Sequence, residues 1–438
     1  MVSNMKQDLR HYIGKEKINY IHHQRLAHNW RTCKYSSHTL PLSEKYTVGK
    51  DSRTLVQIST IEEEQKKKWA ITVFDLRHPG FHPVTVDHLL HINLGAEHDI
   101  FNLNLQAILV ARSTAVLCFN GIGDDTPQEL IAIDLSAGSD YKELWRDVIH
   151  DWGQFQLMRL FGREIYKFDL LNNHIEVHDI RTYDKLSVLK LVEEMRYPHG
   201  EIAGDGRHLA IPGKMSEDNS PAVCVWNVRR RTRQFLYPTS AFCPFRWFEK
   251  VAVSKGKVFG LLNRRCLFAW QAESGHALFK IDLTDSYPGQ QNEATPVFTY
   301  LSVYNNYLAT IHQDPACQTV YKVEVPEESA ELSVVLPQLN VNWLKSTFEQ
   351  AQHQVRICDV KMNEQSIILH VYNLLSQKFE AIILALNSLN DQQSLLNNAK
   401  CCIKLDSTGI NIPGQLYLTP TKLLNCTPHK VEMYDFLL

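Results

Sequence analysis

Val223-Cys224-Val225-Trp226-Asn227-Val228 is a β-branched and aromatic run that ends on one polar residue and then one more apolar residue. A run of this composition reads as a short β-strand. The unit recurs along the chain: Ile71-Thr72-Val73-Phe74-Asp75-Leu76, Ile131-Ala132-Ile133-Asp134-Leu135, Ile175-Glu176-Val177-His178-Asp179-Ile180, Leu267-Phe268-Ala269-Trp270-Gln271, Val320-Tyr321-Lys322-Val323, Ile382-Ile383-Leu384-Ala385-Leu386 and Val431-Glu432-Met433-Tyr434-Asp435-Phe436. With Asp75, Asp134, Asp179, Asn227, Gln271, Lys322, Ala385 and Asp435 taken as equivalent, the spacings are 59, 45, 48, 44, 51, 63 and 50 residues. Most lie near the ~40–50 residues of a four-stranded propeller blade.

Between two markers the other strands of a blade are legible. After Asp179 comes an outer strand at Leu186-Ser187-Val188-Leu189-Lys190-Leu191. A loop through Tyr197-Pro198-His199-Gly200 follows, and then a tight hairpin at Gly204-Asp205-Gly206-Arg207-His208. The next blade repeats this order with Val251-Ala252-Val253, Lys255-Gly256-Lys257, Val258 to Leu262, and a turn at Asn263-Arg264-Arg265. Long helical periodicity is absent here, which disfavours an α/β fold with crossover helices. A β-sandwich array is the alternative, and the even spacing favours radial repetition over it. The expectation is an all-β propeller of eight blades over 33–438, with seven allowed by the 63-residue interval, and a helical linker over 1–32. The last marker strand stands next to Leu438, so Tyr35-Ser36-Ser37-His38-Thr39-Leu40 is expected to supply the outer strand of the last blade.

Composition narrows the function classes. The chain has 438 residues, 44% hydrophobic and 21% charged, so a folded chain is expected. Its net charge is −2, with no global field for nucleic acid or an anionic membrane. The sequence shows neither a leader-like apolar stretch near Met1 nor a run of about 18 apolar residues. The expected setting is therefore intracellular, cytoplasmic or nuclear. The ten cysteines include no C-x-x-C pair and read as reduced, packed thiols. The sequon at Asn425-Cys426-Thr427 reads as unused.

Residues 5–30 set Leu9, Tyr12, Ile13, Ile18, Tyr20, Ile21 and Leu26 among polar residues, a spacing suited to one or two amphipathic helices. The stretch from Ile18 through Asn29-Trp30-Arg31-Thr32 resembles the segment that joins the F-box to the first blade in F-box proteins with WD repeats. That family combines an aromatic residue, a basic stretch and Asn-Trp-Arg before the propeller. The resemblance implies a substrate-recruiting subunit of a cullin ubiquitin ligase, reached through a Skp adaptor, with Asn29, Trp30 and Arg31 as a structural junction. It also implies an F-box upstream of this chain. The repeats depart from the family in lacking Gly-His and Trp-Asp dipeptides; Trp226-Asn227 and Trp270-Gln271 are the nearest forms. A propeller scaffold with no ubiquitin link is the alternative function.

No pattern of catalytic chemistry stands out. His22, His23, His28, His91 and His98 lack the H-E-x-x-H spacing of a zinc site, so neither metal nor cofactor is expected. Val48-Gly49-Lys50-Asp51-Ser52 lacks the first glycine of a phosphate loop, and Gly-x-Ser-x-Gly is absent. Glu62-Glu63-Glu64-Gln65-Lys66-Lys67-Lys68 reads as a solvated hairpin tip. Six cations, Arg196, His199, Lys214, Arg246, Arg264 and Arg265, are expected on one face, where guanidinium forks suit an acidic or phosphorylated segment of a protein partner. Arg229-Arg230-Arg231-Thr232-Arg233 is expected on the opposite face.

Overall fold

In the computed structural model of the chain, described residues are 25–26, 28–30, 32, 35–41, 45–48, 54–63, 66–75, 83–90, 103–111, 113–121, 128–136, 142–149, 159–169, 174–190, 195–196, 202–238, 247–264, 266–282, 297–313, 318–325, 338–340, 355–363, 366–373, 377–385, 402–405, 415–419, 421–427 and 430–436. Among them the fold is an all-β propeller, and the described helical residues are confined to 25–32.

Two compact units divide the chain. The larger, 41–340, holds six antiparallel sheets, each built from strands met in chain order. The third runs Arg159–Phe161, Glu164–Asp169, His174–Asp179, Lys185–Lys190. The fourth runs Met195–Arg196 with Ala203–Gly204, then His208–Met215, Pro221–Asn227, Thr232–Leu236. The fifth runs Phe248–Ser254, Lys257–Leu262, Cys266–Gln271, Ala277–Asp282. Successive sheets touch through their first strands: Lys45–Val48 meets Leu103–Ala111, which meets Arg159–Phe161, and Phe248–Ser254 meets Val297–Tyr304. The smaller unit, 1–40 with 341–438, holds two sheets. Thus six blades stand together in the larger unit, and the expected single ring of eight is not carried by the described contacts.

The repeat seen in the sequence has a structural cause at the base of each inner hairpin. The first residue of the second strand stands opposite the last residue of the third: Thr114 opposite Asp134, His208 opposite Asn227, Lys257 opposite Gln271 and Lys422 opposite Asp435. The apolar residue that follows then donates its N–H back to the turn before the second strand. These bonds are Leu135 to Ser113 at 2.6 Å, Ile180 to Arg163 at 2.9 Å, Val228 to Arg207 at 3.0 Å, Ala272 to Gly256 at 2.8 Å, Val325 to Asn306 at 2.8 Å and Phe436 to Thr421 at 2.9 Å. A polar residue followed by an apolar one is what this closure needs. The polar member meets the turn, and the apolar member is buried at Leu135, Ile180, Ala272, Val325 and Phe436. One marker is corrected by the register. In the sixth sheet Tyr307 opposes Glu324, so Glu324, not Lys322, occupies the equivalent position.

Between sheets the core is aliphatic and aromatic. Phe161, Tyr166 and Ile175 of the third sheet pack with Leu209, Ile211, Cys224 and Trp226 of the fourth. In the fifth sheet Gly260 lets two rings approach: a Cβ there would lie 2.8 Å from Phe248 and 3.0 Å from Trp270. The last sheet has the order Ser36–Pro41, Lys430–Asp435, Lys422–Cys426, Gln415–Leu418, so an N-terminal strand supplies its outer edge. The bounds move by one residue from Tyr35–Leu40. At the acidic-basic run, Glu62 stands opposite Lys67 and Glu63 opposite Lys66, in a hairpin whose cross-strand register matches opposite charges.

Candidate functional site

Each sheet of the larger unit has two ends. The basal end carries the turns joining strands one to two and three to four, and the apical end carries the turn joining strands two to three. At the apical end of the fourth and fifth sheets, Arg196 stands opposite Lys214 in the ladder. Lys214 Nζ lies over the Trp247 ring, 5.9 Å from its centroid. Trp247 immediately precedes the fifth sheet's first strand, and its carbonyl accepts the N–H of Asn263 at 3.1 Å. Asn263 and Arg264 form the adjoining turn at φ of 48° and 54°, and Arg264 Nε donates to Glu249 Oε2 at 2.9 Å. On the other side, Tyr237 Oη meets Met215 Sδ at 3.8 Å. The result is a strip running Tyr237, Met215, Lys214, Trp247, Arg264. Trp247 and Tyr237 are 45% and 46% exposed, a large apolar area left in water.

Of the six cations expected on this face, Lys214 and Arg264 stand in the strip and Arg196 adjoins it through the backbone. The Arg196 side chain, His199, Arg246 and Arg265 lie outside the described residues. Glu249 already engages Arg264, which leaves less positive charge here than the sequence implied. The sequence reading missed Trp247 and Tyr237. The signal for Trp247 was its adjacency to Phe248: at a strand start the pleat sends neighbours to opposite sides, and Phe248 is buried at 1%.

The basal end is interlocked. Arg181 reaches from the third sheet to Asp134 of the second at 2.9 Å, and Arg207 of the fourth pairs with Glu273 of the fifth. Lys257 Nζ donates to Asn306 Oδ1 at 2.9 Å and to the Val325 carbonyl at 3.2 Å, tying the fifth sheet to the sixth. Asp205 Oδ1 accepts the N–H groups of Arg207 and His208 at 2.9 and 2.8 Å, and Oδ2 lies 3.7 Å from His208 Nδ1. Burial alone would raise the Asp205 pKa. The His208 ring and those two N–H groups outweigh it and hold the carboxyl at about 2.

At the N-terminal junction, Trp30 is fully buried and stacked on Phe436 with centroids 3.6 Å apart. Asn29 Nδ2 donates to the Phe436 carbonyl at 2.9 Å. Leu26 joins them in a core with Phe379, Ile403, Leu416 and Leu423. Arg31, His22, His23, His91 and His98 lie outside the described residues, and His28 is exposed. Among the described residues no group of three or more His, Cys, Asp or Glu is arranged to hold a metal ion, and no helix is long and apolar enough to cross a membrane.

No family model matches the chain, and no curated protein matches it. Among solved structures it is similar to BamB from Moraxella catarrhalis, with 10% identity, a TM-score of 0.47, and coverage of 91% of this chain and 98% of that one. It is also similar to Kluyveromyces lactis Hsv2, at 10% identity, a TM-score of 0.42, and coverage of 79% and 94%. For Kuenenia stuttgartiensis hydrazine synthase the values are 14%, 0.41, 76% and 95%. The fold assignment rests on the strand order and register above.

Proposed function

We propose that this chain is a non-catalytic protein-interaction platform whose apical strip receives a partner. The observation that carries this reading is the pair of half-exposed aromatics, Trp247 and Tyr237, set beside Lys214 and Arg264 at a sheet end. Binding energy at protein interfaces concentrates on tryptophan, tyrosine and arginine. A strip that is largely preformed costs little to order on binding.

The finer reading is a substrate-recruiting subunit similar to F-box adaptors of a cullin ubiquitin ligase, built as one ring of eight blades. Its support is the Asn29-Trp30 segment, which resembles that family's linker and packs into the sheet completed by Ser36–Pro41. It requires an F-box upstream of the present chain.

The test replaces Trp247 with Ala and Arg264 with Glu together and confirms the fold by its melting curve. Proteins captured from cells are then compared by quantitative affinity purification. Loss of a discrete set of partners supports the platform, and an unchanged set overturns the apical site. A Skp adaptor and a cullin that co-purify with the full-length gene product support the ligase reading. Their absence leaves a scaffold with no ubiquitin link.

A further inference from the structure

We propose that the basal turn Arg229-Arg230-Arg231 of the fourth sheet is a docking site for an acidic polypeptide segment, one rich in aspartate and glutamate. The three side chains are exposed at consecutive positions of the turn between Pro221–Asn227 and Thr232–Leu236. The turn is held in shape from within: Arg230 N–H donates to Asn227 Oδ1 at 3.1 Å, Val228 N–H to the Arg207 carbonyl at 3.0 Å, and Arg231 adopts φ of 55°.

Other arginines of the basal end have partners within the fold. Arg181 has Asp134, Arg207 has Glu273, and Arg233 lies over the Trp226 ring with a bond to the Lys190 carbonyl. Among the described residues, the guanidinium groups of Arg229, Arg230 and Arg231 have none. Two carboxylates of the basal turns are committed elsewhere, Asp205 to backbone N–H groups and Glu273 to Arg207. Three like charges on one short turn repel one another, and an acidic segment seated there would relieve that repulsion. Planar guanidinium forks match carboxylates with two parallel N–H···O bonds.

Other polyanions fit less well. The exposed residues of the turn itself, Arg229 to Thr232, include no apolar side chain to anchor a lipid surface. Trp226, the aromatic beneath it, is buried under Arg233 and offers no face to a nucleic-acid base.

The test measures binding of a fluorescent oligoglutamate peptide to the full chain at physiological ionic strength, where screening acts within about 8 Å. The triple variant Arg229→Gln, Arg230→Gln, Arg231→Gln should weaken binding roughly tenfold, the sum of three exposed charge contacts. A triple Lys variant should recover part of the loss, and Lys404→Gln, which removes an exposed cation of the smaller unit, should leave binding unchanged. If the triple variant melts early, Arg229→Gln with Arg230→Gln gives the same readout with Arg231 kept in its turn. Wild-type affinity in a folded variant overturns the proposal. So does triplet-dependent binding that is tighter for duplex RNA or phosphatidylserine vesicles than for oligoglutamate.

Discussion

Trp30 and Asp205 each show what one side chain contributes when its surroundings are complete. Trp30 stacks on Phe436 and touches no water, so Trp30→Ala removes a large buried area and leaves a cavity. The expected cost is about 3–5 kcal/mol, read as a lowered denaturant midpoint with faster amide exchange in the last sheet. Asp205 acts through charge. Its carboxyl is held at about 2, below the ordinary value of about 3.9, so the folded state favours the ionised form. That contribution is present above about pH 4 and is lost as pH falls toward 2. Asp205→Asn should therefore lower the melting temperature at neutral pH and flatten its fall between pH 4 and 2. An equally steep fall in the variant would show that the depressed carboxyl belongs to another residue, such as Glu176, also held at about 2.

At the scale of the strand pair, the base of the inner hairpin is where polar groups enter the core. In the last sheet this position is a buried ion pair, Lys422 Nζ to Asp435 Oδ2 at 2.5 Å, with the side chains 0% and 3% exposed. Removing one partner strands a charge without water, so Asp435→Asn should cost about 3–5 kcal/mol in urea unfolding. Lys422→Met combined with Asp435→Leu should recover most of it, because the desolvation of both ions is removed together. A double variant as unstable as the single would point to the other contacts of these residues. The same position explains what the sequence made legible. The polar marker and the apolar residue after it are local, and they located the inner hairpins, with the sixth displaced by two residues. The slip from Glu324 to Lys322 was invisible because a shift of two residues preserves the pleat, so the same side chains face the same way. Whether a cation is spent was equally hidden. Arg264 and Arg229 look alike in the sequence, yet one meets Glu249 and the other meets nothing among the described residues. Such pairing depends on residues brought together from different parts of a sheet.

For the molecule as a whole, the decisive joint is the sheet that takes strands from both ends of the chain. Ser36–Pro41 adds a fourth strand to Lys430–Asp435, and its neighbour Tyr35 sets its ring edge-on to Tyr434 at 5.3 Å and tilted to Phe436 at 5.7 Å. Without that strand the edge of Lys430–Asp435 would face water with unpaired backbone groups, and the Trp30 stack would lose its cover. Deleting residues 33–42 removes the ladder and Tyr35 together, so it should lower the melting temperature by several degrees. A substitution confined to the ladder separates the two effects: proline placed at His38 and at Thr39 in turn removes the donor of whichever faces Lys430–Asp435 and leaves Tyr35 in place. If one of these prolines reproduces most of the loss, strand pairing holds this sheet together. If neither does, the aromatic contacts of Trp30 and Tyr35 with Phe436 carry the joint, and Tyr35→Ala should then account for the remainder. A deletion variant that melts like the full chain would mean that the last sheet is held by its other strands and that Ser36–Pro41 adds little to it.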